Sequence, residues 1–224
     1  MKVILYGATG MVGQGVLREC LLDARVESVL SIGRGSGGAT QAKLSEIALK
    51  DFSDYSGIKD RLRGFDACFF CLGVSSAGMK EEEYARITYG FTMAAAEILA
   101  RQNPGMTFVY VSGAGTDTSE HGGVMWARVK GRTENALLQL PFKAAYMFRP
   151  EFIQPLHGIR SKTRSYRVLY AIAAPLMPAL RAIFSGSILT TEEIGQAMIF
   201  VAERGAPKNI LEVRDILALS RMAD

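Results

Sequence analysis

Val3-Ile4-Leu5-Tyr6, followed at once by Gly7-Ala8-Thr9-Gly10-Met11-Val12-Gly13, decides how this chain folds. The first four residues are an uninterrupted apolar run, the pattern of a strand buried on both faces of a sheet. Met11–Leu22 then carries apolar residues at helical spacing. Glycines between the two let the backbone turn tightly and come close to a ligand, and the first N–H groups of a helix have no partner within it. Strand, Gly-rich turn and helix N-terminus, in that order, make a cradle for the pyrophosphate of a dinucleotide. Gly7, Thr9, Gly10, Met11, Val12 and Gly13 are the contacts expected from this turn.

Outward from the turn, strand and helix signals alternate. Val26–Ile32, Leu44–Leu49, Ala67–Leu72, Phe108–Val111 and Ala144–Phe148 read as strands, while Tyr84–Ala100 and Trp126–Leu140 read as helices closed by Pro104 and Pro141. That alternation predicts an α/β fold, a doubly wound parallel sheet of the Rossmann kind. Beyond Pro150 the pattern changes: Pro155, Pro175 and Pro178 break the chain and basic residues gather between Arg160 and Arg167. Thr190 and Glu193 form a capping box, which predicts a helix to about Glu203. Ile210–Val213 reads as a last strand and Asp215–Leu219 as a last helical turn. Residues 1–224 are expected to form one domain, with 151–190 as a small C-terminal cap on the substrate side.

Apolar residues make up 49% of the chain and charged residues 21%, an ordinary globular balance, and the net charge of +4 is scattered. Scattered charge suits small anionic molecules and leaves no nucleic-acid footprint. Cys68 and Cys71 enclose Phe69-Phe70, which reads as buried strand, and with Cys20 the cysteines are expected to pack in the core rather than hold a metal. Met1-Lys2 leads straight into a strand pattern, so a cytoplasmic setting is expected. Val168–Leu180 is too short to span a membrane, is flanked by Arg167 and Arg181 and is broken by two prolines. The stretch 166–184 is expected to be a buried helix or one that faces a protein partner or a second copy.

The spacing of the turn is G-x-x-G-x-x-G, and it resembles that of the atypical and extended short-chain dehydrogenases/reductases, the epimerase/dehydratase-like group. Further stretches fit the same group in order: Ile32-Gly33-Arg34, Lys50-Asp51-Phe52, Cys71-Leu72-Gly73, Val109-Tyr110-Val111-Ser112, Val129-Lys130-Gly131-Arg132-Thr133-Glu134 and Phe148-Arg149-Pro150. The ending Leu211–Ile216 adds to a resemblance strongest toward the Tat-interacting-oxidoreductase-like branch. The resemblance implies that Asp51 and Phe52 meet the adenine, that Cys71, Leu72 and Gly73 line the cofactor, and that Arg149 and Pro150 also bind it. NADP(H) is expected ahead of NAD(H) for a physical reason. Where such folds carry an acidic residue for the ribose hydroxyls, this chain has Gly33-Arg34, and a guanidinium suits a 2′-phosphate; the alternative is a solvated surface arginine.

In the group it resembles, a Tyr and a Lys one helical turn apart work with a Ser at the end of the fifth strand. Ser112 and Lys130 match, and residue 126 lies on the same helix face as Lys130, but residue 126 is Trp. An indole N–H donates a hydrogen bond and does not exchange protons near neutral pH. Trp126 is expected to wall the site or stack on a ligand, or else to be a core aromatic. Residues 112–123 read as a mobile lid, and His121 within it is a candidate proton donor or a plain loop histidine; His157 is a weaker one. Tyr110 and Tyr146 are expected in the core. Two functions follow as expectations: an NADP(H)-dependent oxidoreductase acting on a small carbonyl or alcohol, or an NADP(H)-sensing protein that regulates a partner.

Overall fold

The computed structural model describes residues 1–35, 41–159 and 187–223. Strands β1 (Lys2–Tyr6), β2 (Ser28–Gly33), β3 (Leu44–Ala48), β4 (Ala67–Phe70), β5 (Thr107–Val111), β6 (Ala144–Arg149) and β9 (Ile210–Glu212) form one sheet. Its order is β3-β2-β1-β4-β5-β6-β9 and every neighbouring pair is parallel. A second, two-stranded parallel sheet joins β7 (Phe152–Gln154) to β8 (Ile188–Thr190); sequence patterning did not mark it, because three-residue strands carry no readable alternation.

The period-two alternation of β1 sends Val3 and Leu5 to one face and Ile4 and Tyr6 to the other, and each pair enters a separate apolar layer. On the first face lie helices α1 (Met11–Leu22), α5 (Thr191–Arg204) and α6 (Val213–Ser220). Against the second pack α3 (Phe91–Gln102) and α4 (Met125–Leu138). The expected Tyr84–Ala100 helix begins earlier, as α2 (Glu81–Ala85), and passes through one π-type turn at Arg86–Gly90 into α3. Its first turn holds Glu81, Glu82 and Glu83, which suit the positive end of the helix dipole.

Two glycines bring α1 and α5 together. A Cβ on Gly15 would stand 2.5 Å from the Cβ of Thr191, and one on Gly195 would stand 2.6 Å from Cγ of Glu19. The capping box at Thr190 and Glu193 is present, with both hydrogen bonds made, so α5 starts where the sequence predicts. The last helical turn proves to be a full helix, α6, itself opened by a box between Glu212 and Asp215. Of the expected cap, only 151–159 and 187–190 fall among the described residues; the expected helix over 166–184 and the run Val168–Leu180 lie outside them.

Candidate functional site

Strand order reverses between β1 and β4, because the chain leaves β1 toward β2 and returns to β4 on the other side. In open parallel sheets a ligand crevice lies beyond the carboxyl ends of the strands at such a point. The Gly7–Gly13 turn sits there. Gly7 has φ +78°, and a Cβ on it would press within 2.7 Å of the Cys71 carbonyl. A Cβ on Gly13 would lie 2.1 Å from the Gly7 carbonyl oxygen. Gly10 differs. Its N–H donates to the Gly7 carbonyl at 2.8 Å, and a Cβ there would meet only that oxygen, at 3.3 Å. The protein itself needs glycine at 7 and 13, whereas a Cβ at position 10 makes a single tight contact that a shift of a few tenths of an ångström would relieve. No side chain caps α1 and no acid stands in its first turn, so its free N–H groups suit a pyrophosphate.

Thr9, Met11 and Val12 line the turn, with Thr9 exposed and the other two half-buried. Arg34 is exposed just past the end of β2. Asp51 is exposed, and hydrogen bonds from the Ser53 hydroxyl (2.7 Å) and backbone N–H (2.9 Å) hold its carboxyl below the usual range. The adenine contact expected of Phe52 needs correction. Its ring is buried against Tyr6 and Phe91, with centroids 6.3 and 5.8 Å away, because an apolar ring gains more from the core than from an open rim. Cys71 and Leu72 are half-buried and Gly73 is exposed, with open space where a Cβ would point.

Arg149 is a second correction. Its guanidinium faces Glu134 in a two-pronged ion pair (3.0 and 2.5 Å) and also reaches Glu212 at 3.2 Å, so its donors serve carboxylates and not a cofactor. Glu134 is wholly buried, and a buried carboxylate demands such a partner. The Pro150 carbonyl accepts from the Ala114 N–H at 2.9 Å and anchors the loop after β5.

Helix α4 carries Trp126 and Lys130 one turn apart, as their spacing predicts. The Lys130 ammonium donates to the Ser112 carbonyl oxygen. Nζ also lies 3.8 Å from where a Gly113 Cβ would stand, with the Pro150 carbonyl oxygen 3.9 Å from that same point. Ser112, Gly113, Lys130 and Pro150 therefore converge. Desolvation pushes the Lys130 ammonium down to about 8, against the opposing pull of the Glu134 carboxylate. The Ser112 hydroxyl is buried and donates to the Phe148 carbonyl oxygen at 3.1 Å, on the neighbouring strand.

Trp126 is half-buried, with Cη2 3.7 Å from the point where a Gly115 Cβ would stand, so it covers the loop after β5 and is not a core aromatic. Tyr110 is buried two residues before Ser112, and desolvation raises its phenol far above the ordinary value. Tyr146 is buried as expected. His121 is exposed on the loop, and His157 pairs with Glu192 at 2.7 Å.

The expected mobile lid is tied down. The Asp117 carboxylate accepts from Ser119 N–H (3.0 Å), the Ser119 hydroxyl (2.6 Å) and Gly122 N–H (2.7 Å), while Arg128 donates to the Gly122 carbonyl at 2.6 Å. A Cβ on Gly131 would lie 1.7 Å from the Asp117 carbonyl oxygen, which shows how closely α4 presses on this loop. Asp117, Gly131 and Glu134 were not singled out from sequence. Only Glu134, at i+4 from Lys130, carried a spacing signal.

No family model matches the chain. Among curated proteins, the chain is 25% identical over 234 residues to Protein FMP52-2, mitochondrial, of Scheffersomyces stipitis, covering 97% of this chain and 96% of that one. It is 26% identical over 151 residues to Protein HTATIP2 of Rattus norvegicus, covering 66% and 61% of the two chains. Among solved structures, the Bordetella bronchiseptica enzyme WbmF in complex with NAD+ superposes with a TM-score of 0.68 at 13% identity, over 99% of this chain and 77% of that one. DesIV, a dTDP-glucose 4,6-dehydratase from Streptomyces venezuelae with NAD bound, gives 0.69 at 13% identity over 100% and 80%. The cytoplasmic expectation is overturned by the relatives, since FMP52-type proteins from several fungi carry mitochondrial names. An apparent lack of leader in the first residues was too weak a ground for it. No helix among the described residues is long and apolar enough to cross a membrane, and none of their side chains cluster to hold a metal ion. In fold the chain is like these NAD-binding epimerase/dehydratase-like enzymes, and in sequence it is similar to HTATIP2 and to the FMP52-type proteins.

Proposed function

We propose that the chain binds NADP(H) in the crevice at β1 and β4 and acts as an oxidoreductase on a small carbonyl or alcohol, with Trp126 standing where the resembled enzymes carry tyrosine. The observation that carries the reading is the placement of the open Gly10 cradle and the Lys130 ammonium along the carboxyl edge of one parallel sheet. The dinucleotide supplies hydride chemistry when bound. The chain's own residues do the rest. The α1 N-terminus and the turn hold the pyrophosphate, Arg34 meets a 2′-phosphate, and Lys130, held by the Ser112 carbonyl, places a cation beside the reacting oxygen. Residues 1–224 act as one unit in this reading, with 151–190 capping the substrate side. NAD+ bound to WbmF and NAD bound to DesIV, which share the fold, support the class of cofactor.

Calorimetric titration tests the cofactor. NADPH should bind, and Gly10→Val should abolish binding while circular dichroism stays that of the folded chain, because a side chain there would stand where a pyrophosphate approaches, while within the chain its Cβ meets only the Gly7 carbonyl oxygen, at 3.3 Å. Retained binding in Gly10→Val would put the dinucleotide elsewhere. A second reading, a sensor of NADP(H) that regulates a partner, draws on Trp126 and on the Ser112 hydroxyl bonded to Phe148. It predicts NADPH binding with no turnover of any carbonyl, alcohol or quinone.

A further inference from the structure

Charges of alternating sign run from Lys130 to the edge strand β9: the Lys130 ammonium, the Glu134 carboxylate, the Arg149 guanidinium and the Glu212 carboxylate. Glu134 stands four residues after Lys130, so the two share a face of α4. Arg149 closes on Glu134 from the end of β6, and Glu212 meets Arg149 from the end of β9. Side-chain exposure rises along the row, from 0% at Glu134 through 11% at Arg149 to 50% at Glu212.

A buried pair of this kind adds little net stability over apolar side chains of the same volume, because both charges must leave water. Its field, however, acts strongly on any charge beside it in the poorly polarisable interior. Among the described residues, two titratable groups besides Arg149 feel the Glu134 charge: the Lys130 ammonium and the Tyr110 phenol on β5. Desolvation already raises that phenol far above its ordinary value, so it stays neutral and Lys130 is the group that responds. Burial works against the Lys130 charge, and Glu134 returns part of what burial takes. Both Glu134 oxygens accept from Arg149, at 3.0 and 2.5 Å, which offsets much of the negative charge that Lys130 would otherwise meet. Glu212, at 3.2 Å from Arg149, lessens that offset from the rim.

We infer that Glu134 is a positioning residue of the site, whose buried carboxylate keeps Lys130 charged, and that Arg149 and Glu212 set how strongly it does so. The inference rests on the reading of Lys130 as the cation beside the reacting oxygen. Without Glu134, a half-buried lysine beside the Arg149 guanidinium would give up its proton near neutral pH and could not meet a developing oxyanion. The ion pair at the end of β6 thereby acts on the site through Lys130, with no contact to substrate or cofactor of its own.

The Cε resonance of isotope-labelled lysine, assigned to Lys130 by its loss in Lys130→Met, reads this charge by NMR and needs no turnover. Its midpoint in the natural chain should lie at about 8. Glu134→Gln should lower the midpoint by about 1 pH unit or more, since an opposite charge at close range is worth about 1–3 units. Mere loosening of the packing would let water in and raise it toward 10.5 instead. Adding Arg149→Met to Glu134→Gln should bring the midpoint part of the way back, because a cation that repels Lys130 is then gone. Glu212→Gln should lower it by less, and this variant carries the test should Glu134→Gln fail to fold. With NADPH and hexanal, the alkaline limb of kcat/KM should move with the midpoint. A midpoint unchanged or raised in Glu134→Gln, or unchanged in Glu212→Gln, overturns the inference whatever the activity. Midpoints that fall in this way in a chain that binds no NADPH uphold the charge network and overturn the oxidoreductase reading alone.

Discussion

At Lys130 the environment works against the charge it holds. Its ammonium is pushed down to about 8 from 10.5, so between those values the unfolded chain keeps a proton that the folded chain has lost. Stability then rises with pH from about 8 to 10.5, and below that window the charged lysine destabilises the fold by roughly 1–3 kcal/mol. Lys130→Met should therefore be more stable than the natural chain in urea at pH 7 and should lose the gain between pH 8 and 10. Equal stabilities at pH 7 would mean that the hydrogen bond to the Ser112 carbonyl offsets the burial. At Trp126 the chemistry points the other way. Trp126→Tyr places a phenol one turn from that ammonium and should raise turnover of hexanal by about 10²–10⁴-fold, the usual reach of general acid catalysis, measured as NADPH oxidation. No gain with hexanal, in a variant that still binds NADPH, would show that more than the acid is missing. At Arg34, replacement by alanine should cost about tenfold to a hundredfold in NADPH affinity and leave NADH binding nearly as it was, since a charged contact to phosphate is worth about 1.5–3 kcal/mol.

Elements in this protein meet through glycines that serve different masters. Gly13 brings the first turn of α1 against Gly7, where an added methyl would lie 2.1 Å from a backbone oxygen. Gly15 and Gly195 let α1 and α5 cross with their backbones close. Gly13→Ala should thus lower the unfolding midpoint as well as dinucleotide affinity, by about 2 kcal/mol or more in stability, whereas Gly10→Ala should leave the midpoint of the cofactor-free chain within about 1 kcal/mol. Denaturant titration of the two variants without cofactor separates these roles. Equal losses would mean that the turn is strained at both positions. The segment between β5 and α4 follows the same logic, since Gly131 lets α4 lie against Asp117 and the bonds of Asp117 then fix the loop that sequence alone presented as a lid.

Across the whole molecule, an ion-pair network, buried at Glu134 and Arg149 and open to solvent at Glu212, joins three distant stretches: Glu134 on α4, Arg149 at the end of β6 and Glu212 at the end of β9. Glu134 has no solvent contact, so removing its partner strands a charge. Arg149→Met should destabilise the chain by about 3–5 kcal/mol, and adding Glu134→Gln to it should recover part of that loss, because an unpaired buried carboxylate is worse than no charge. Urea unfolding of the single and double variants reads the coupling. Strict additivity would mean that the two side chains act separately. Bound NADPH should raise the melting temperature of the natural chain in proportion to the logarithm of its concentration.

Sequence by itself determined the parallel α/β sheet, the Gly7–Gly13 turn, the start of α5 at its capping box and the shared helix face of residues 126 and 130. These depend on periodicities of two and 3.6 and on local backbone chemistry, which neighbours in the chain carry. Only the tertiary structure decided that Phe52 is core, that Arg149 belongs to Glu134 and Glu212 and that the Ser112 hydroxyl faces Phe148. Each of those outcomes is a choice of partner for one polar or aromatic group among residues 15 to 63 positions away. Such choices follow from burial and from the satisfaction of hydrogen bonds in three dimensions, and no local pattern in the chain records them.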